Sequence, residues 1–85
     1  MDKEERRYRA ESVAPIYVRI GYGSSETVKG PDEALHYLMQ RWPLDRGTKY
    51  DLAGIAVSNA VERRASAEAA KEAFIAAAIE AQVLA

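Results

Sequence analysis

Eighty-five residues hold one domain and little more, and 48% hydrophobic with 29% charged residues is the balance of a folded chain rather than a disordered one. Twelve basic against thirteen acidic side chains leave a net charge of −1, which excludes a globally basic binder of nucleic acid or anionic lipid. With no cysteine and a single histidine, His36, disulfide frameworks, zinc ribbons, iron–sulfur ligation, thiol catalysis and a His-rich metal site within one chain are excluded.

No apolar run approaches the roughly 20 residues of a membrane helix. The charged start Met1-Asp2-Lys3-Glu4-Glu5-Arg6-Arg7 has no hydrophobic segment behind it, so a cytoplasmic protein is expected. Residues 1–12 are mixed in sign and aperiodic, and read as a flexible arm ahead of a single domain over 13–85. Order is expected from Pro15. Ile16, Val18 and Ile20 alternate with Tyr17 and Arg19, a period of two with β-branched residues that predicts a half-buried strand. Gly21-Tyr22-Gly23-Ser24-Ser25 supplies a turn, Glu26 to Lys29 resumes an extended pattern, and Gly30 stops it. The simplest assembly is a β-hairpin over about residues 15–29.

Pro31 suits a first helical position, and Asp32 and Glu33 set negative charge at the positive end of the helix dipole. Leu35, Leu38, Met39 and Trp42 recur at i, i+3, i+4 and i+7, which predicts a helix over 31–42 that buries them and stops before Pro43. Thr48 suits the N-cap of a second helix over 48–63, with Asp51 in the capping-box position. Leu52, Ala53, Ile55, Ala56, Val57, Ala60 and Val61 cover more than half of its circumference, so this helix is central or meets a second chain. Gly54 costs about 1 kcal/mol relative to alanine inside a helix, and close approach of another backbone explains it most simply. Ser66 caps a third helix over 66–82, with a seam of Ala70, Phe74, Ala77, Ala78 and Ala81 widened by Ile75 and Ile79. The expected fold class is α+β, a two-stranded hairpin packed by three helices in the order ββααα. Its core is predicted to hold Ile16, Val18, Ile20, Val28, Leu35, Leu38, Met39, Trp42, Ile55, Val57, Phe74, Ile75 and Ile79.

His36 is the one side chain that titrates near neutral pH when unperturbed, and Asp32 and Gln40 lie four residues to either side on the same helix face. A carboxylate beside an imidazole can tune a general base. An i, i+4 pair on a solvated face accounts for the spacing more simply, and no nucleophile or metal-ligand partner lies near it in sequence. Gly21 and Gly23 lead into an extended segment rather than a helix, with no Gly-Lys-Ser/Thr behind them, so this loop is a turn and not a phosphate cradle. No catalytic, cofactor-binding or metal residue is assigned, no cofactor is implied, and no enzymatic activity is expected.

Interaction surfaces have more support. Arg19 and Lys29 fall on the outward side of the hairpin near Tyr17 and Tyr22, and cations interleaved with aromatics can hold phosphates and stack bases. Against that, Glu4, Glu5, Glu11 and Glu26 share the same segments, and two strands are a small platform. Trp42 and Tyr50 flank the Pro43–Gly47 connection and could anchor another protein, although core packing is the simpler role for Trp42. Both edges of an isolated hairpin are unpaired. A two-fold partner would extend the sheet or bury the over-apolar second helix, so a homodimer is expected.

Gly30-Pro31-Asp32-Glu33-Ala34-Leu35, Arg41-Trp42-Pro43, Gly47, Tyr50 and Ala73-Phe74-Ile75-Ala76-Ala77-Ala78-Ile79-Glu80-Ala81 resemble a group of short bacterial proteins, the domain-of-unknown-function family number 982. The resemblance runs from about Val13 to Leu84, and its most specific piece is the Gly-Pro-x-Glu-Ala-Leu helix start leading to Arg-Trp-Pro. It implies a small cytoplasmic α+β domain and carries over no catalytic or binding residue. It departs near Arg63, where that pattern often has a glycine ending the second helix, which leaves the boundary between the second and third helices open. The expected function is a non-catalytic protein-interaction or regulatory module. The alternative is a weak nucleic-acid binder using the hairpin face with Arg6, Arg7 and Arg9.

Overall fold

The structure is a computed structural model that describes residues 15–44 and 46–85. The arm expected over residues 1–12 lies outside the described residues. Strands β1 (Ile16–Val18) and β2 (Glu26–Val28) pair antiparallel, with Ile16 opposite Val28, Tyr17 opposite Thr27 and Val18 opposite Glu26. The period-two pattern works as predicted: Ile16, Val18 and Val28 are buried and Tyr17 faces outward. Gly21 enters the turn at φ +80°, a conformation that costs a residue with a Cβ but not glycine. The hairpin makes the first two elements of the expected ββααα order.

Pro31 opens α1 (Pro31–His36), with Asp32 and Glu33 in its first turn; the Glu33 carboxylate accepts from the Lys29 N–H at 2.8 Å. The helix then widens into a π-helical segment, Tyr37–Arg41, before Trp42 turns extended ahead of Pro43. A π turn bonds i→i+5 and holds more residues than an α turn, so a stripe drawn at α spacing slips. The face that is buried carries Ala34, Tyr37, Leu38 and Trp42, while Leu35 is half-buried and Met39 is 64% exposed. Met39 therefore leaves the predicted core, and Tyr37 enters it.

The second helix, α2 (Thr48–Val61), has Gly47 rather than Thr48 at its N-cap, with no side-chain cap from either. Its cap comes from another helix. The Glu80 carboxylate accepts from the Lys49 and Tyr50 N–H groups at 3.3 and 3.2 Å. A Cβ on Gly47 would stand 2.6 Å from Glu80 Oε2, so the glycine makes room for that carboxylate. At the other end Arg63 takes φ +66°, and the Arg64 and Arg63 N–H groups donate to the Asn59 and Ala60 carbonyls at 2.7 and 3.0 Å. That is a Schellman closure with arginine where glycine is usual, and it settles the boundary: α2 stops at Val61, two residues short of the predicted 63.

The third helix, α3 (Ala67–Glu80), starts as predicted, with the Ser66 hydroxyl accepting from the Ala69 N–H at 3.0 Å. Gln82, at φ +62°, closes it, and the Val83 N–H donates to the Ala78 carbonyl at 2.9 Å. The chain then runs back along β1: the Arg19 N–H donates to the Val83 carbonyl at 2.8 Å and the Ala85 N–H to the Tyr17 carbonyl at 2.9 Å. The β1 edge expected to be open is thus covered by the chain's own tail; among the described residues nothing pairs with the outer edge of β2.

The core lies where the hairpin, α1, α2 and α3 meet, with Phe74, Leu38, Val18 and Val57 fully enclosed. Ala53 and Val57 of α2 face Ala70, Phe74, Ala77 and Ala78 of α3, the predicted alanine seam. Ile55 and Ile79 do not join it and are 61% and 59% exposed. The reason is helical phase. Two residues on from Ala53 is about 200° around the axis, and Ile79 lies about 140° from Phe74; alanine contacts draw the two backbones together and leave the flanking isoleucines outside. Ile20, Leu35 and Ile75 pack at the rim. Among the described residues no helix is long and apolar enough to cross a membrane.

Candidate functional site

Asp32, His36 and Gln40 are all exposed on α1 and its continuation, and the nearest ring to His36 is the adjacent Tyr37, edge-on at 5.9 Å. Among the described residues no three His, Asp or Glu side chains gather closely enough to hold a metal ion. A cavity of about 20 Å³ lies under the hairpin among Ile16, Val28, Pro31, Ala34, Ala70 and Phe74. That is room for about one water, far below the few hundred Å³ of a ligand pocket.

A polar cluster joins β2 to the π segment. Glu26 stands opposite Val18 and so faces the helices, where its carboxylate accepts from the Tyr37 hydroxyl at 2.6 Å and from both Arg41 Nη atoms at 2.7 and 2.8 Å. The Arg41 guanidinium also lies over the Tyr37 ring, 5.2 Å from its centroid. The Arg41 and Tyr37 hydrogen bonds hold the Glu26 carboxyl at about 2, against its usual 4.5. The same carboxylate pushes the Tyr37 hydroxyl and the Arg41 guanidinium up. None of the three exchanges a proton near neutral pH, so the cluster is a clamp and not an acid–base pair. Sequence reading set Glu26 among charges opposing a basic hairpin face; strand alternation from Val28 was the signal that it points the other way.

The outward sheet face gathers Tyr17, Arg19 and Lys29, all exposed, with Tyr22 fully exposed in the turn beside them. Among the described residues neither Arg19 nor Lys29 has an ion-pair partner. Trp42 and Tyr50 do not belong to that surface. Trp42 is 4% exposed, packed against Phe74 at 5.3 Å and Tyr50 at 6.3 Å between ring centroids. The i+5 donor that the Leu38 carbonyl would need sits at Pro43, which has no N–H; the Tyr50 hydroxyl donates to that carbonyl instead, at 2.8 Å. Arg46 covers the Tyr50 ring at 4.7 Å and donates to the Pro43 and Trp42 carbonyls at 3.0 and 3.2 Å. This corner is packed structure, not a free anchor.

A second surface lies on the second helix, whose apolar circumference suggested contact with a second chain; Met39 and Ile55, which periodicity placed in the core, stand outside on it. The π turn swings Met39 out beside α2, where it borders an open groove with Gly54 and Ile55; Leu52, one turn before Ile55 on α2, is 51% exposed. Asp51 lies at one end of the groove, Glu62 and Arg64 at the other. Apart from its own helix, nothing among the described residues lies within 4 Å of where a Cβ on Gly54 would be, so none of them makes the backbone approach that this glycine suggested.

No curated protein and no solved structure matches the chain. A family model described as a protein of unknown function, DUF982, matches residues 14–85, a span that contains both strands, all three helices and the tail on β1, and the chain belongs to that family.

Proposed function

We propose that this protein is a non-catalytic interaction module of the cytoplasm, and that the groove between the π segment and α2 is its working surface. The observation that carries this reading is the company Gly54 keeps. Met39 and Ile55 are 64% and 61% exposed and line the groove with Gly54, where among the described residues no other part of the chain lies within 4 Å of the absent Cβ. Single exposed apolar residues are ordinary, but a cluster rimmed by polar groups marks a contact surface. Glycine here also weakens the helix by about 1 kcal/mol relative to alanine, with no packing among the described residues to require it. The test is a quantitative pull-down with wild type and the Met39→Ser/Ile55→Ser double variant, after circular dichroism shows both folded. Near-stoichiometric association with itself or another protein that the double variant loses supports the reading. Equal recovery by both overturns it.

A second reading rests on the outer sheet face, where Arg19 and Lys29 stand unpaired among the described residues beside Tyr17 and Tyr22 while Glu26 is turned beneath the sheet. That arrangement suits weak, salt-sensitive contact with single-stranded nucleic acid. Retention on single-stranded RNA or DNA at low salt, reduced by Tyr17→Ala and Arg19→Ala, supports it; no retention ends it.

A further inference from the structure

We infer that the groove's occupant is a second copy of this chain, docked about a two-fold axis that runs α2 antiparallel to α2 and passes beside Ser58, midway between Asp51 and Arg64. This rests on the groove being the working surface proposed above, and names its partner.

A two-fold contact requires a patch complementary to itself, and the outward strip of α2 has that character. Its centre is apolar or small, with Gly54, Ile55 and Ser58, and its two ends carry opposite charge. Asp51 has no ion-pair partner among the described residues. At the other end Arg63 and Arg64 outnumber Glu62, which Arg64 meets at 3.2 Å with both side chains exposed. Arg64 comes thirteen positions after Asp51, and the helical part of that span, Asp51 to Val61, is about 15 Å long at 1.5 Å per residue. Antiparallel pairing lays each acidic end against the other copy's basic end and each helix N-terminus near the other's C-terminus, so side-chain charges and helix dipoles agree. Parallel pairing would set like ends together.

Gly54 fixes how closely the helices meet. With no other part of the described chain within 4 Å of its missing Cβ, a second helix can approach there at the short end of the usual 8–10 Å interaxial range. Met39 and Leu52 on either side would then cover the seam. The π turn is part of the device, since a regular α-helix would have kept Met39 inside.

The test is sedimentation velocity on the full chain over a wide concentration range, with three variants. A concentration-dependent dimer is expected. Ile55→Arg and Gly54→Leu should each weaken it at least tenfold while leaving circular dichroism unchanged, since leucine at 54 meets open space in the monomer. Asp51→Lys should weaken the dimer, and adding Arg64→Glu should restore it, which a merely destabilised helix would not do. A wild type monomeric at millimolar concentration overturns the inference. If that monomer nonetheless loses a different protein partner in the Met39→Ser/Ile55→Ser variant, the interaction module stands and only the second copy fails. A dimer indifferent to Ile55→Arg and Gly54→Leu lies elsewhere, for example on the β2 edge, and also overturns the inference.

Discussion

Replacing Glu80 with alanine removes the side chain that caps α2, and the structure allows the effect to be worked out. Two N–H groups of the first turn, from Lys49 and Tyr50, lose acceptors at 3.3 and 3.2 Å. Losing a side-chain cap costs about 1 kcal/mol, and removing a carboxylate from the positive end of a helix costs about another 0.5 kcal/mol when exposed. Glu80 is exposed, so water takes over part of the bonding and about 1 kcal/mol is expected. For a domain of this size that lowers the melting temperature by roughly 4–8 °C. Glu80→Gln keeps the acceptor without the charge and should fall between the two. The decisive comparison is a double-mutant cycle with Gly47→Ser. Gly47 sits in extended backbone, φ −119°, which serine adopts freely, but its Cβ would stand 2.6 Å from Glu80. In the wild type Gly47→Ser should therefore displace the existing cap and destabilise. In the Glu80→Ala background the same serine supplies the missing cap and should stabilise by about 0.5–1 kcal/mol. Thermal melts of the four proteins read out the cycle. If Glu80→Ala melts within 1 °C of wild type, or if serine at 47 acts with the same sign in both backgrounds, the capping argument is wrong.

Arg63→Gly should raise stability by about 1 kcal/mol, because arginine at φ +66° carries a left-handed penalty that glycine lacks; an unchanged urea midpoint would show that the arginine is held there by something else. Tyr50→Phe should cost about 1 kcal/mol by leaving the Leu38 carbonyl without its donor, read as a drop in the same midpoint with no change in its slope. The Glu26 carboxyl, at about 2 when folded against 4.5 otherwise, gives stability that is complete above about pH 4.5 and fades as pH falls toward 2. Glu26→Gln should therefore flatten the fall in melting temperature between pH 5 and pH 2, and parallel curves for the two proteins would contradict the clamp.

What was legible in the sequence was whatever neighbours along the chain decide. Alternation over Ile16 to Ile20 placed β1 and its inward face, Pro31 with Asp32 and Glu33 marked the start of α1, Ser66 marked the cap of α3, and the alanines around Phe74 marked its seam. Each depends on contacts within four or five residues, and a pattern of that length carries its own answer.

Contacts between distant segments decided the rest. The cap of α2 comes from Glu80, about thirty residues away, so Thr48 and Asp51 could look like a capping box that the folded chain does not use. The tail reaches β1 because α3 ends where Gln82 can turn back, which closes an edge that local reasoning leaves open. The π turn over Tyr37–Arg41 is held by the Glu26 clamp on one side and by the Tyr50 hydroxyl on the other, and it exchanges Met39 for Tyr37 in the core. Periodicity says that a helix has an apolar stripe. Which way that stripe faces, and which of its residues stay outside, is set by the partners that the stripe meets after folding.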